Sequence, residues 1–313
     1  MKKIVAIAVL AMAGNFTFGQ QVSLNSHYML NDFVLNPAFA GSHQDVIPLT
    51  LTIRKQWTGF TGAPITQQFS GNANIGANFG AGLHIFNDLT GPTRRTGFNL
   101  ATSYAIPLDY SRKHSLRFGL AFILFEHVYD RNKLTYETPN DNTIDQLYNQ
   151  NIIPDANFGM LYTKDTTIYA GFSVWNLIQS RADITNVTSS YNNNINRLYY
   201  LYGGYNYTIN ADWMLKPSML LQFQANAPAS FDINVLAKYR SMYWGGISYR
   251  YQDAVVVLIG IDWNKFTFAY SYDITTSDIR KYSGGSHEIT LGYALDGKGF
   301  RFLDKLVRKK SSY

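Results

Sequence analysis

The chain has 313 residues, 46% of them hydrophobic, 15% aromatic and only 15% charged, with a formal net charge of +6. The charged fraction lies well below the roughly 25% of a soluble domain, and a mean hydropathy of −0.16 excludes a bundle of apolar helices about 20 residues long. The hydrophobic content also excludes disorder, which leaves the composition of a transmembrane β-barrel, whose strands are apolar on one side only.

Lys2 and Lys3 precede an uninterrupted apolar stretch, Ile4 to Ala13, and Thr17 and Gly19 lie ahead of Gln20 and Gln21. This is the pattern of a signal peptide over residues 1–19, too short to span a bilayer. The chain contains no cysteine, which excludes disulfides, thiolate metal sites, thiol catalysis and lipid attachment through that residue. Removing residues 1–19 takes two lysines and no acid, leaving a charge of +4. That charge is too small and too dispersed for a nucleic-acid partner.

Residues 20–48 form an N-terminal segment without strand periodicity. The stretch Asn36 to Ser42 is too irregular to face lipid, because unpaired backbone is costly there. Residues 25–47 are therefore expected to tuck into or across the barrel mouth as a partial lumen plug.

From residue 49 the chain alternates with period two in segments of about ten residues, the length that crosses a membrane at a tilt. Leu116, Phe118, Leu120, Phe122 and Leu124 alternate with Arg117, Gly119, Ala121 and Ile123, and Val255, Val257, Ile259 and Ile261 alternate with Val256, Leu258, Gly260 and Asp262. The less apolar face carries Gly, Ala, Ser, Thr, Asn and Gln with isolated charges, which suits a barrel lumen. Such segments occur at 49–57, 64–75, 78–87, 95–107, 114–126, 155–163, 166–177, 197–209, 212–224, 229–240, 242–252, 254–263, 265–274 and 286–295. The expectation is a single all-β, antiparallel transmembrane barrel of about 14 strands over residues 49–296. Connections after the even-numbered segments are short, whereas 127–154, 178–196 and 275–285 are long, so short periplasmic turns face long extracellular loops and both termini are expected in the periplasm. Trp57, Tyr162, Trp175, Tyr207, Trp213 and Trp263 stand at segment ends, where aromatic girdles belong.

Arg54, Arg117, Asp232, Lys238, Arg240, Arg250, Asp262, Asp273 and Glu288 fall on the inward parity, so an internal ion-pair lattice is expected, or a grip by some of them on the plug or a partner peptide. Residues 297–313 hold six basic residues against Asp304, a basic periplasmic tail able to meet anionic headgroups or an acidic partner.

Chemistry is scarce. The six histidines show no metal-ligand spacing, and Ser286 and His287, as neighbours on a strand, point to opposite faces and cannot form a nucleophile–base pair. Gly76 to Gly82 lacks the strand and helix of a phosphate loop. Asp141 to Asp145 lacks the glycine and terminal glutamate of a calcium loop. No enzyme, metal or cofactor is expected.

Several short motifs go beyond a generic barrel: Asn36-Pro37-Ala38-Phe39-Ala40-Gly41, Arg54-Lys55-Gln56-Trp57, Gly62-Ala63-Pro64, Pro154-Asp155-Ala156-Asn157, and Gly171 to Asn176. Arg250, Asp273 and Ser286-His287-Glu288 follow. In this order the chain resembles the PorP/SprF family of type IX secretion system outer-membrane proteins over about 25–295. The resemblance implies a non-catalytic Bacteroidota outer-membrane barrel. It would work in the secretion and gliding apparatus, or as partner of one large secreted adhesin carrying a type IX C-terminal domain. A channel for small or apolar solutes is the alternative.

Overall fold

The structure, a computed structural model, describes residues 25–59, 61–130, 133, 151–181, 194–225, 227–301 and 304. The expected signal peptide, the Asp141–Asp145 segment, and the basic tail beyond Arg301 apart from Asp304 lie outside the described residues.

Fourteen strands form one antiparallel sheet: β1 (Val46–Lys55), β2 (Ile65–Gly76), β3 (Phe79–Thr90), β4 (Thr93–Pro107), β5 (His114–Tyr129), β6 (Asn151–Lys164) and β7 (Ile168–Trp175) make its first half. The second half is β8 (Leu198–Tyr205, resuming at Tyr207–Thr208), β9 (Trp213–Gln224), β10 (Ser230–Tyr239), β11 (Tyr243–Arg250), β12 (Ala254–Trp263), β13 (Phe266–Thr275) and β14 (Ser286–Asp296). Each strand pairs with the next, and β1 also pairs with β14 from Val46↔Asp296 to Lys55↔His287, so the sheet is a closed barrel. Closure leaves no strand edge unpaired, as a bilayer demands. Among the described residues no helix is long and apolar enough to cross a membrane.

The alternation read from the sequence is the alternation of burial. On β5, Arg117, Gly119, Ala121 and Ile123 are buried inward while Leu120 and Phe122 face out. β6 starts at Asn151, before the expected 155, because its ladder with β5 continues to His127↔Asn151 regardless of side-chain period. β8 is interrupted at Asn206, opposite the part of β9 that holds Pro217. Proline has no N–H for a ladder; on the other side of β8 the Asn206 N–H extends the pairing with β7 by donating to the Thr167 carbonyl at 2.7 Å.

Two inward and outward assignments are corrected. Trp175 is not part of a girdle: it lies inside the barrel, 9% exposed, on the same parity as the buried Gly171 and Ser173, and its indole N–H donates to the Leu35 carbonyl at 3.0 Å. Arg240 is not in the lumen, because β10 ends at Tyr239 and the positive φ of 48° at Arg240 swings it onto the turn, where it pairs with Asp212 at 3.0 Å. Trp213 and Trp263 do project outward at the short-turn end, with Trp213 against Tyr239 at 4.9 Å between ring centroids.

The short connections lie at one end, the longer loops at the other. Ala77 and Asn78, both at positive φ, make the two-residue turn whose twist matches a hairpin. At the loop end, β3 and β4 are also joined tightly by Gly91 and Pro92, so only some of those connections are long.

Candidate functional site: the segment held in the lumen

Residues 25–42 run inside the barrel from the loop end to the short-turn end. Tyr28, Phe33, Val34, Leu35, Phe39 and Ala40 are buried, most of them in one apolar cluster with the inner-wall residues Ala101, Ala121, Leu161, Tyr200 and Tyr202. Burial of several large side chains, each worth about 1.5–3 kcal/mol relative to exposure, offsets the entropy of ordering the segment.

The path begins in a buried charge cluster near the loop end. Arg54 on β1 reaches Asp273 at 2.7 Å and Glu288 at 3.0 Å, and all three are almost completely buried. Arg250 on β11 meets Asp273 at 3.1 Å, Asp232 at 3.3 Å and Asp253 at 3.3 Å. Two guanidinium groups thus face four carboxylates, and the segment supplies further donors. The backbone N–H groups of Ser26 and His27 donate to the two oxygens of Glu288 at 2.8 and 2.9 Å. The Ser26 hydroxyl donates to Asp273 at 2.9 Å and accepts from Arg54 at 2.9 Å. A buried carboxylate left without donors is expensive, so the cluster is complete only with the segment seated. His27 Nδ1 is 2.9 Å from the Thr290 hydroxyl.

Below the cluster, Tyr28 Oη meets the Ser218 hydroxyl at 3.0 Å, and the Ser70 hydroxyl donates to Asn31 at 2.9 Å. At mid-lumen the segment is pinned by Asn36. Its side-chain oxygen caps the turn Pro37–Phe39 by accepting from the Ala38 N–H at 2.7 Å. Its amide donates to the carbonyls of Met160 at 2.9 Å and Phe172 at 3.1 Å. Asparagine at the cap and proline at the first helical position are the usual opening of a helical turn. The wall is cut to fit: a Cβ on Gly119 would lie 2.3 Å from the Ala38 nitrogen, and one on Gly159 would lie 1.8 Å from the Asn36 side-chain oxygen. At the lower end Ser103 donates to the Ala40 carbonyl at 2.6 Å. Gly41 there, at a φ of +65°, donates to Asn72 at 2.9 Å.

Beneath the segment a cavity of about 420 Å3 reaches the short-turn end, bordered by Asp32, Phe39, Lys216 and Asp262. Lys238 pairs there with Asp262 at 2.7 Å.

The remaining motif residues are not in one place. Asp155, fully buried, accepts the backbone N–H groups of Ala156 at 2.7 Å, Ile178 at 3.0 Å and Ser180 at 3.2 Å. Asn176, at positive φ, donates to the Asn196 carbonyl at 3.1 Å, so these two shape the start of the β7–β8 loop. Gly171 gives way to the Tyr202 ring, which would come within 2.3 Å of a Cβ. Gln56 donates through its backbone to the Pro64 carbonyl at 2.9 Å, and the Trp57 N–H reaches the Ser286 hydroxyl at 3.1 Å. Gly62, at a φ of +82°, accepts from the Gly91 N–H at 3.0 Å. Ser286 and Glu288 are buried, whereas His287 is on the outer face with Tyr270 Oη at 2.7 Å. Ser26, His27 and Thr290 belong to the cluster, but no sequence signal singles them out.

Residues 17–293 match the family model described as "Type IX secretion system membrane protein PorP/SprF". No curated protein matches the chain. Among solved structures, a monoaromatic hydrocarbon channel, CymD, is 12% identical with a TM-score of 0.51, covering 89% of this chain and 94% of its own. The toluene transporter TbuX of Ralstonia pickettii is 11% identical with a TM-score of 0.51, covering 90% and 96% respectively. At that identity the likeness is one of fold, the outer-membrane barrel.

Proposed function

Because the chain belongs to the PorP/SprF family of type IX secretion system membrane proteins, we propose that this outer-membrane barrel is a non-enzymatic partner in that pathway. In this reading it assists export or surface attachment of a large secreted adhesin, or acts in the secretion and gliding apparatus. The observation that carries it is the filled lumen: the path a solute would take is occupied by residues 25–42, held by Asn36 and by the Arg54–Asp273–Glu288 cluster. A barrel so obstructed serves as a rigid platform, and loops on a rigid scaffold are where recognition is usually placed. Short turns then face the periplasm and the longer loops the cell surface, where 127–154, 178–196 and 275–285 are the surfaces offered to cargo. The basic residues after β14 remain on the periplasmic side, beside lipid headgroups or an acidic component.

The solute-channel reading draws support only from the fold shared with hydrocarbon transporters, which does not transfer function. Deleting the gene and comparing surface and secreted proteomes decides between them. Loss of one large adhesin is expected for a dedicated partner, and general loss of type IX cargo for a core component. An unchanged cargo profile together with impaired solute uptake sinks the secretion reading.

A further inference from the structure

β1 and β14, the first and last strands, meet at a seam that closes only when the rest of the barrel has formed. Across it Arg54 lies opposite Glu288 and Thr52 opposite Thr290. Both pairs are bonded through their side chains, at 3.0 Å in each case. The amino end of the lumen segment sits on three of these four residues, Arg54, Glu288 and Thr290. Ser26 and His27 occupy both oxygens of Glu288 with their backbone N–H groups, the Ser26 hydroxyl accepts from Arg54, and His27 meets Thr290. The Ser26 hydroxyl also donates to Asp273 on β13 and accepts from Arg250 on β11 at 3.3 Å. One serine therefore ties together strands that arrive first and last in the chain, joining residues up to 262 positions apart.

We propose that the N-terminal segment is a closing staple for the barrel, seated in the open sheet before β1 and β14 pair. Physical economy favours this order. Before closure the Glu288 and Asp273 carboxylates have too few cations, and bringing them to the seam without the segment would bury charge that lacks donors. With Ser26 and His27 in place, the same approach forms hydrogen bonds to charged groups, the stronger kind. The segment also leaves little clearance, since the Ala40 carbonyl would lie 1.9 Å from a Cβ on Gly80 of β3. A chain carrying Tyr28 and Phe33 enters an open sheet more readily than a finished lumen.

The order of events is read from kinetics. If the staple is formed in the transition state for closure, weakening it slows folding and leaves unfolding nearly unchanged; if it docks afterwards, only unfolding accelerates. The test uses the full mature chain, refolded from urea into detergent micelles. Closure is followed by the faster electrophoretic migration of the unheated barrel, and unfolding by the reverse shift. Ser26→Ala is expected to slow closure roughly tenfold, the rate equivalent of one lost hydrogen bond to a charged group, with unfolding altered less than about twofold. Thr290→Val, a milder change at the same seam, is expected to slow closure in the same sense. Tyr28→Phe, which removes the bond to Ser218 on β9, is likewise expected to slow closure, by a smaller factor because the lost bond is between neutral groups. A closing rate for Ser26→Ala and Thr290→Val equal to that of the unchanged chain overturns the proposal.

Discussion

At the scale of single residues, the buried charges decide most. Arg54 is 1% exposed and serves Asp273, Glu288 and Ser26 together, so its loss strands two carboxylates and a hydroxyl. Arg54→Met is expected to cost about 3–5 kcal/mol, the cost of breaking a buried pair from one side, measured as a shift in urea unfolding of the barrel in micelles. These residues were unequally legible. The inward parity of Arg54, Arg250, Asp273 and Glu288 follows from counting along a strand. Ser26 and His27 lie in an unpatterned stretch, and only the fold brings them to the cluster.

At the scale of elements, the strands were legible and the exceptions have local causes. Alternation reports a face and not an end, so β6 could extend to Asn151 beyond its visible pattern. Pro217 interrupts the ladder beside Asn206 without ending either strand. Trp175 illustrates the converse: a tryptophan at a strand end suits a girdle, but the Leu35 carbonyl of the lumen segment gives its N–H a partner inside. The segment itself has one clear local signal, the Asn36-Pro37 start of a helical turn. Its role as a lumen filler predicts that deletion of residues 25–42 converts a closed barrel into a conducting one. Planar-bilayer recording is expected to give large steady openings for the deletion and none for the full mature chain; equal conductance of the two would show that the segment does not close the path.

At the scale of the whole molecule, the apolar outer band and the polar, charge-bearing lumen belong to an outer-membrane barrel. The 420 Å3 cavity beneath the segment reaches the short-turn end, whereas the charge cluster of Arg54, Arg250, Asp273 and Glu288 lies toward the loop end, so the lumen is asymmetric along the membrane normal.

Fold class, strand number and most inward and outward faces were determined by the sequence itself, because membrane crossing imposes a period of two on every strand and roughly sets its length, while the order of short motifs carried the family. The path of residues 25–42, the cluster that Ser26 and His27 complete, and the partner that Leu35 gives the Trp175 indole were decided only by the tertiary structure. These depend on contacts between residues as far apart as Ser26 and Glu288, and a period read along one strand carries no information about which distant strand will close beside it.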